Sequence, residues 1–131
     1  MPKAVSDLPR RTSSTLPQRK RLRRSRDFQQ LYAQGQRYDT LSMAAFAQRN
    51  GLAEHRLGVT ASGKVIGGAV RRNRAKRLLR EVFRLSEDKL DGMDRKYDWV
   101  LNARPPLLQS SLHQRLREFG TIIDRVARAD G

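Results

Sequence analysis

The chain has 131 residues, the size of one domain that can bury a hydrophobic core of its own. It carries 28 Lys and Arg against 13 Asp and Glu, a formal net charge of +15, and this excess predicts a polyanionic partner. No apolar run approaches the ~20 residues of a membrane-spanning helix and there is no cysteine for disulfides or cysteine-ligated zinc, so we expect a cytoplasmic protein without a membrane segment.

Residues 1–20 hold three prolines and clustered Ser and Thr without hydrophobic periodicity, which is typical of a disordered tail. We therefore expect a basic, disordered tail at residues 1–20 and a single domain at residues 21–131, whose charge predicts binding to a polyanion. The basic cluster Arg19-Lys20-Arg21, with Arg23-Arg24 behind it, lies at this boundary. Composition leaves open whether the cluster is a solvated lead-in or an anchor on RNA.

A first helix is predicted from Ser25, a capping residue type, to Gly35, which can end a helix. Within it Phe28, Leu31 and Tyr32 recur at the i, i+3, i+4 spacing of one helix face. All three side chains could be core residues. Alternatively, Phe28 and Tyr32 are partly open and stack on unpaired bases, as aromatic residues do in single-strand binders.

Strands follow, because apolar residues now alternate with a period of two. One strand is predicted over residues 41–48, with a shorter strand before it near residues 36–38. Another is predicted over residues 56–61, after the turn that Asn50-Gly51 favours.

Phe46 lies on the opposite parity from Leu41 and Met43, so its side chain faces away from theirs. The pattern leaves two interpretations open. Phe46 is either an ordinary core residue or part of one aromatic surface with Phe28 and Tyr32.

The most informative stretch is a helix that follows Gly67-Gly68 and runs to Leu85. Read at 3.6 residues per turn, one face is apolar and consists of Ala75, Leu78, Leu79, Val82 and Phe83. The other face is basic and consists of Asn73, Lys76, Arg77, Arg80 and Arg84, with Arg74 at its margin. Glu81 is the helix's only acid. Such a helix packs on its own protein and presents its cations to phosphates, which arginine binds with two parallel hydrogen bonds.

After this helix we predict an acidic flexible loop over residues 86–96, a strand over residues 97–103 and a last amphipathic helix from about residue 112. Ser111 and Gln114 form a capping box for the last helix. The predicted fold is therefore α+β, a small two-layer sandwich of order α-β-β-(β)-α-β-α in which one sheet face packs the helices. If the two strands that flank the basic helix are parallel, the general rule makes their crossover right-handed.

No arrangement of Ser, His, Asp or paired carboxylates predicts a catalytic site on the protein. His55 and His113 are the only histidines, too few for the usual histidine-based metal sites. The Gly58 to Lys64 interval is one residue short of a nucleotide-binding P-loop, and Val65 replaces the hydroxyl that would hold magnesium. These residues favour a binding protein that has no active site or metal site of its own.

The two glycines and the basic helix read Gly67-Gly68-Ala69-Val70-Arg71-Arg72-Asn73-Arg74-Ala75-Lys76-Arg77. This run resembles the Gly-x-Ala-Val-x-Arg-Asn-Arg-x-(Lys/Arg)-Arg signature of the protein subunit of bacterial ribonuclease P. Residues 21–32 resemble that family's opening basic-x-x-Asp-Phe-x-x-aromatic helix, and Ala103-Arg104-Pro105 resembles the exit of its last strand. The similarity thus extends from about Arg21 to the last helix.

The resemblance implies a subunit of the endoribonuclease that removes 5′ leaders from precursor tRNA, with the chemistry carried by the RNA subunit and Mg²⁺ bound mainly by that RNA. It implies ribonuclease P RNA and precursor tRNA as partners, with neither a membrane nor a protein partner evident. It also implies a ribosomal-protein-like fold whose β-α-β crossover is left-handed, against the general rule.

The same resemblance implies roles for individual residues. Contacts to the RNA subunit fall on Arg71, Arg72, Asn73, Arg74, Lys76, Arg77, Arg80 and Arg84. Contacts to the leader fall on Phe28, Tyr32, Phe46 and Lys64, and Arg104 is a further candidate for RNA contact. The chain departs from the family at Val65, where a second Lys is usual, and the interval from Gly58 to Gly67 is one residue longer than usual.

Two other functions are compatible with the residues. One is a ribosomal-type RNA-binding protein of similar fold without a processing role. The other is a DNA-binding module that reads the major groove with the basic helix, although the two glycines and an intervening strand replace the short spacing of a helix-turn-helix.

Overall fold

The computed structural model describes residues 16–130. In chain order its elements are a 3-10 turn (Gln18–Lys20), α1 (Ser25–Gln34), β1 (Gln36–Asp39), β2 (Met43–Arg49), β3 (Arg56–Thr60), α2 (Gly63–Ile66), α3 (Ala69–Leu85), α4 (Glu87–Asp91), β4 (Tyr97–Ala103), a 3-10 helix (Pro105–Gln109) and α5 (Leu112–Asp130). The strands form one sheet in the order β1-β2-β4-β3. The predicted α+β class is confirmed. None of the helices in residues 16–130 has the length and apolar character needed to cross a membrane.

The larger core fills the sheet face that α3 and α5 cover. Each of these helices buries one stripe of side chains, as its periodicity predicts. The buried stripe of α3 is Ala75, Leu79, Val82 and Phe83, and that of α5 includes Phe119, Ile122, Ile123 and Val126. The stripes pack on alternate residues of the strands, including the fully buried Trp99 and Leu101. The apolar face of α3 therefore fixes which of its residues point outward.

α1 lies on the opposite face of the sheet, over a smaller core formed by Leu22, Leu31, Phe46 and Val100. The prediction that one sheet face packs all the helices is wrong for α1, because this helix covers the second face. The same arrangement explains why Met43–Ala47 of β2 are buried on both faces and do not alternate between buried and exposed.

Several predicted boundaries shift for local reasons. β2 begins at Met43, because Leu41 lies in the preceding turn with 65% of its surface exposed. Ser25 is the first residue of α1 and does not cap it, whereas the amide of Gly35 donates to the Leu31 carbonyl and ends the helix as predicted. At α5 the amide of Gln114 donates to Ser111 Oγ at 3.0 Å, which agrees with the predicted cap.

Two short helices lie on either side of the basic helix. α2 precedes it, and Ser62 Oγ accepts a hydrogen bond from the Lys64 amide at the start of α2. α4 lies within the predicted flexible loop of residues 86–96, and its buried Leu90 packs into the larger core. The sequence did not predict α4, because the core contact of Leu90 that stabilises this helix involves residues distant in the chain.

Residues 1–15 of the predicted disordered tail, which was expected over residues 1–20, lie outside the described residues. Its last part is ordered, since Leu16 is buried in the larger core and Gln18–Lys20 form a turn. The amide of Leu22 then donates to the Leu57 carbonyl at 2.9 Å, which aligns this segment with β3. The folded domain therefore begins no later than Leu16.

β3 and β4 are parallel neighbours, and α2, α3 and α4 connect them. The predicted β-α-β unit around the basic helix is thus present. The left-handed sense of its crossover stays a prediction from the resemblance.

His55 joins α4 to β4 through a buried network. Its Nε2 donates to the Leu90 carbonyl at 3.0 Å, and its Nδ1 accepts from the Tyr97 amide at 3.0 Å and from Trp99 Nε1 at 3.1 Å. Burial lowers the pKa of His55 below its ordinary value of 6.5. The neutral ring is therefore the form that the fold stabilises.

We predict that the free energy of unfolding falls as the pH drops from 6.5 towards 5, because the unfolded His55 takes up a proton with a pKa near 6.5 and the folded one resists it. The slope should reach at most about 1.4 kcal/mol per pH unit. Urea unfolding at several pH values measures it. His113→Gln, at an exposed position, should keep the slope and His55→Gln should lose it; a wild-type stability that is constant over this range would contradict the prediction.

Candidate nucleic-acid interface

The outer face of α3 forms a basic ridge. We define this ridge as Arg71, Arg72, Asn73, Arg74, Lys76, Arg77, Arg80 and Arg84. Arg71, Asn73, Arg74 and Arg77 are exposed and the other members are half-buried. Gly67 turns the chain between α2 and α3 with a φ of +119°, a conformation that glycine adopts without strain. All the residues predicted to contact an RNA subunit therefore lie on α3, and none of them is buried.

Within residues 16–130, no member of the ridge forms an ion pair with an acid. The ion pairs of this region all use other cations, in the pairs Arg19–Glu54, Lys20–Glu87, Arg37–Asp39, Arg49–Asp130, Arg56–Asp98, Lys89–Asp124, Arg104–Asp39 and Arg115–Glu81. Glu81 is the acid of α3, and it lies 3.7 Å from Arg115 of α5. The charge of the ridge is thus left for a partner outside these residues.

Two members of the ridge differ from the rest in their surroundings. Arg71 Nε donates to the Ile66 carbonyl at 2.8 Å, so this side chain also stabilises the turn between α2 and α3. Arg84 buries its Nε without a hydrogen-bond partner among the described residues. A buried donor of this kind favours an acceptor at the same place.

A groove of about 320 Å³ lies where the ridge meets the N-terminal segment beside β3. Arg21, Lys76 and Arg80 line it together with the ring of Phe28. Burial, and then the charge of Arg21, lower the pKa of Arg80. The fold therefore holds like charges close together, and a phosphate group in the groove would relieve their repulsion.

Phe28 reaches this groove because residue 58 is a glycine. A Cβ at Gly58 would lie 2.5 Å from Cζ of the Phe28 ring, far closer than van der Waals contact. The ring is half-buried and packs against the smaller core. Phe28 therefore connects α1 with β3 and presents only part of its surface to a ligand.

Tyr32 and Phe46 form the open aromatic surface of the α1 face. Their rings meet edge to face with centroids 4.8 Å apart. Tyr32 exposes 42% of its surface, whereas Phe46 exposes 7%. Phe28, Tyr32 and Phe46 thus lie on one face of the sheet, but Phe46 is a buried residue of the smaller core and Tyr32 is the member that offers most surface for stacking.

One row of side chains across the sheet borders Tyr32. The strand register pairs Asp39 with Ala44, Ala44 with Asn102, and Asn102 with Thr60. Strand alternation places this row on the same face as Phe46. Together with Tyr32 and Phe46 we call it the aromatic cleft. Tyr32 Oη donates to Asn102 Oδ1 at 3.0 Å, which ties the helix to the row.

Two arginines border the cleft on the β1 side. The guanidinium of Arg37 lies 5.4 Å from the centroid of the Phe46 ring, within the range of a cation–π contact. Arg104, a candidate from sequence, lies 3.5 Å from Asp39. Sequence reasoning missed Arg37, Thr60 and Asn102. The alternation of side chains along each strand, counted from Phe46, is the signal that would have placed them on the same sheet face.

Lys64 is the one predicted leader contact that the structure does not bring next to the aromatic residues. It lies exposed on α2, which follows β3 at the same end of the sheet as Thr60 and Asn102. Its side chain forms no hydrogen bond or ion pair inside the described range. Across that range, no cluster of three or more His, Asp or Glu side chains is arranged to hold a metal ion.

A family model described as Ribonuclease P matches residues 16–127. The "Ribonuclease P protein component" of Syntrophus aciditrophicus is 35% identical over 111 residues, which cover 85% of this chain and 90% of that protein. The protein of the same name from Natranaerobius thermophilus is 38% identical over 98 residues, which cover 75% of this chain and 82% of the relative.

Solved structures agree with these matches. The ribonuclease P protein of Thermotoga maritima superposes with a TM-score of 0.69 at 26% identity, over 80% of this chain and 96% of the other. The ribonuclease P protein of Staphylococcus aureus superposes with a TM-score of 0.67 at 26% identity, over 82% and 94% of the two chains.

Proposed function

The chain belongs to the ribonuclease P protein family, and we propose that it binds two RNA ligands on two adjoining faces. As a subunit of ribonuclease P it has a role in 5′ processing of tRNA, and its RNA partner is ribonuclease P RNA. In our proposal that RNA lies on the basic ridge. The 5′ leader of precursor tRNA lies in the aromatic cleft.

The observation that carries this proposal is the unneutralised ridge. Its cations lie along one helix, and none of the ion pairs within residues 16–130 includes them. Arginine forks bind phosphate oxygens with paired hydrogen bonds, so a row of them suits an RNA backbone. Asn73 adds a neutral donor and acceptor in the same row, which suits a contact that sets the register of the RNA.

The groove beside Phe28 supports placing the two ligands side by side. Lys76 and Arg80 belong to the ridge, yet they line the same groove as the Phe28 ring. A leader that stacks on Tyr32 and passes Phe28 would therefore meet cations of the ridge. The protein adds substrate affinity in this way, because it contacts the part of the precursor that mature tRNA lacks.

We propose that Mg²⁺ acts mainly in the RNA subunit and that the ridge lowers the concentration of cations that this RNA requires. Protein cations that neutralise phosphates replace condensed counterions, so the folded RNA needs fewer of them. The cytoplasm, where tRNA precursors are made, is the compartment in which this activity would take place.

Reconstitution tests the proposal. Added to a ribonuclease P RNA at a magnesium concentration too low for the RNA alone, the protein should restore cleavage of the leader. A ribosomal-type RNA-binding protein would not do so. If cleavage stays at the level of the RNA alone while the protein binds that RNA, the processing role is refuted.

We predict that Arg72→Ala, Arg77→Ala and Arg80→Ala together weaken binding to the RNA subunit and flatten its salt dependence. Each lost phosphate contact lowers the slope of log K against log salt by about 0.7–0.9. The matched control replaces Arg117, Arg125 and Arg128 on α5, which removes the same charge from another helix. Filter binding between 50 and 300 mM salt measures both slopes. Equal slopes for the two triple variants would show that the ridge does not contact phosphate.

We predict that Tyr32→Ala weakens binding of precursor tRNA by about five- to a hundredfold, the range for one lost base stack. Binding of mature tRNA and of the RNA subunit should stay unchanged, because neither uses the cleft. Leu112→Ala, at a similarly exposed apolar position on α5, is the control. Equal losses on precursor and mature tRNA would argue against the leader in the cleft.

A further inference from the structure

Asn102 has its carbonyl oxygen fully occupied by two hydroxyl groups of the protein. Tyr32 Oη donates to Asn102 Oδ1 at 3.0 Å and Thr60 Oγ1 donates to the same atom at 2.6 Å. A carbonyl oxygen has two lone pairs, so both are used. In this arrangement the amide group turns its oxygen towards the two hydroxyls.

The amide nitrogen of Asn102 is consequently directed away from both hydroxyls. Its two N–H groups have no hydrogen-bond partner within residues 16–130, and the residue is only half-buried. Its neighbour across β2 is Ala44, whose side chain ends at Cβ and has no polar group that could bond the amide. Tyr32, whose ring is open to stacking, touches the same amide.

We propose that Asn102 determines base specificity in the aromatic cleft by donating to the exocyclic oxygen of a leader base. This inference rests on the proposed leader site and adds to it a hydrogen-bond donor that selects bases by the acceptor they present. Tyr32 and Thr60 are positioning residues that hold the amide, and the stacked base supplies the acceptor. The cleft therefore prefers the keto bases uracil and guanine to the amino bases cytosine and adenine.

Asn102 acts only as a donor because its carbonyl oxygen is already occupied. Asparagine normally binds adenine with both its oxygen and its nitrogen, and this mode is closed here because the oxygen is engaged. The remaining N–H groups can only donate. Uracil O4 and guanine O6 accept at the position where cytosine N4 and adenine N6 donate, so the amino bases present a donor to a donor.

The test compares precursor tRNAs whose leader nucleotides are all uridine or all cytidine, in complex with the ribonuclease P holoenzyme. We expect the wild-type protein to favour the uridine leader about fivefold, the factor for one neutral hydrogen bond. Asn102→Asp should reverse the ratio, because the hydroxyls can still donate to one carboxylate oxygen while the other now accepts from cytosine N4. The ratio is the readout, since the added negative charge weakens both complexes alike.

Two further variants separate specificity from charge and from folding. Gln30→Glu adds the same charge on an exposed position of α1 and should leave the uridine-to-cytidine ratio at its wild-type value. The neutral pair Tyr32→Phe with Thr60→Val removes both donors to Asn102, frees the amide to turn and should bring the ratio close to one. Circular dichroism confirms that each variant is folded before its ratio is measured.

The outcomes distinguish this inference from the function on which it rests. If the wild-type holoenzyme binds precursor and mature tRNA equally, the leader site itself is refuted. If it favours the precursor but Asn102→Asp and the neutral pair keep the wild-type ratio, the leader site stands and the role of Asn102 is refuted. A reversed ratio in Asn102→Asp together with an unchanged ratio in Gln30→Glu supports the role.

Discussion

The binding surface of this domain depends on where its acids are engaged. The ion pairs of the described residues lie on strands, on α5 and around the N-terminal segment, and none includes the cations of the ridge. Glu81 is the acid nearest to them, and it pairs with Arg115 of the neighbouring helix. Since the apolar stripe of α3 is held in the core, its basic face has one orientation and, among the described residues, no acid in an ion pair with it. The charge is thus preorganised for phosphate before any RNA binds.

The packing of α1 on its sheet face depends on a different constraint, namely small residues at two positions of the strands below it. Gly58 lets the Phe28 ring lie against β3, and Ala44, the neighbour of Asn102 across β2, has no side-chain atom beyond Cβ. These two small residues keep side-chain bulk low on the sheet face that α1 covers. The two faces meet along β3, where Lys76 and Arg80 approach Phe28. One strand therefore supports both RNA ligands in the proposed arrangement.

Periodicity predicted most of the fold, because long amphipathic helices and alternating strands encode their buried faces locally. The stripe of α3, the start of α5 and the parity of Phe46 could all be read in this way. What the sequence did not reveal depends on contacts between distant residues. Leu90 orders α4 only because a core exists to receive it, and α1 covers a sheet face that alternation alone would assign to solvent. Asn102 was missed for the same reason, since a polar residue on a strand is ordinarily solvated.

The two edge strands of the sheet affect how the protein behaves at high concentration. β3 is an edge strand, but the amide of Leu22 already occupies the carbonyl of Leu57 on its outer side. β1, the opposite edge, has four residues and carries Arg37 and Asp39. Short, charged or occupied edges give a second copy little to pair with. A sheet that, in the proposed arrangement, leaves one face open for nucleic acid is in this way shielded at its edges from fibril-like self-association.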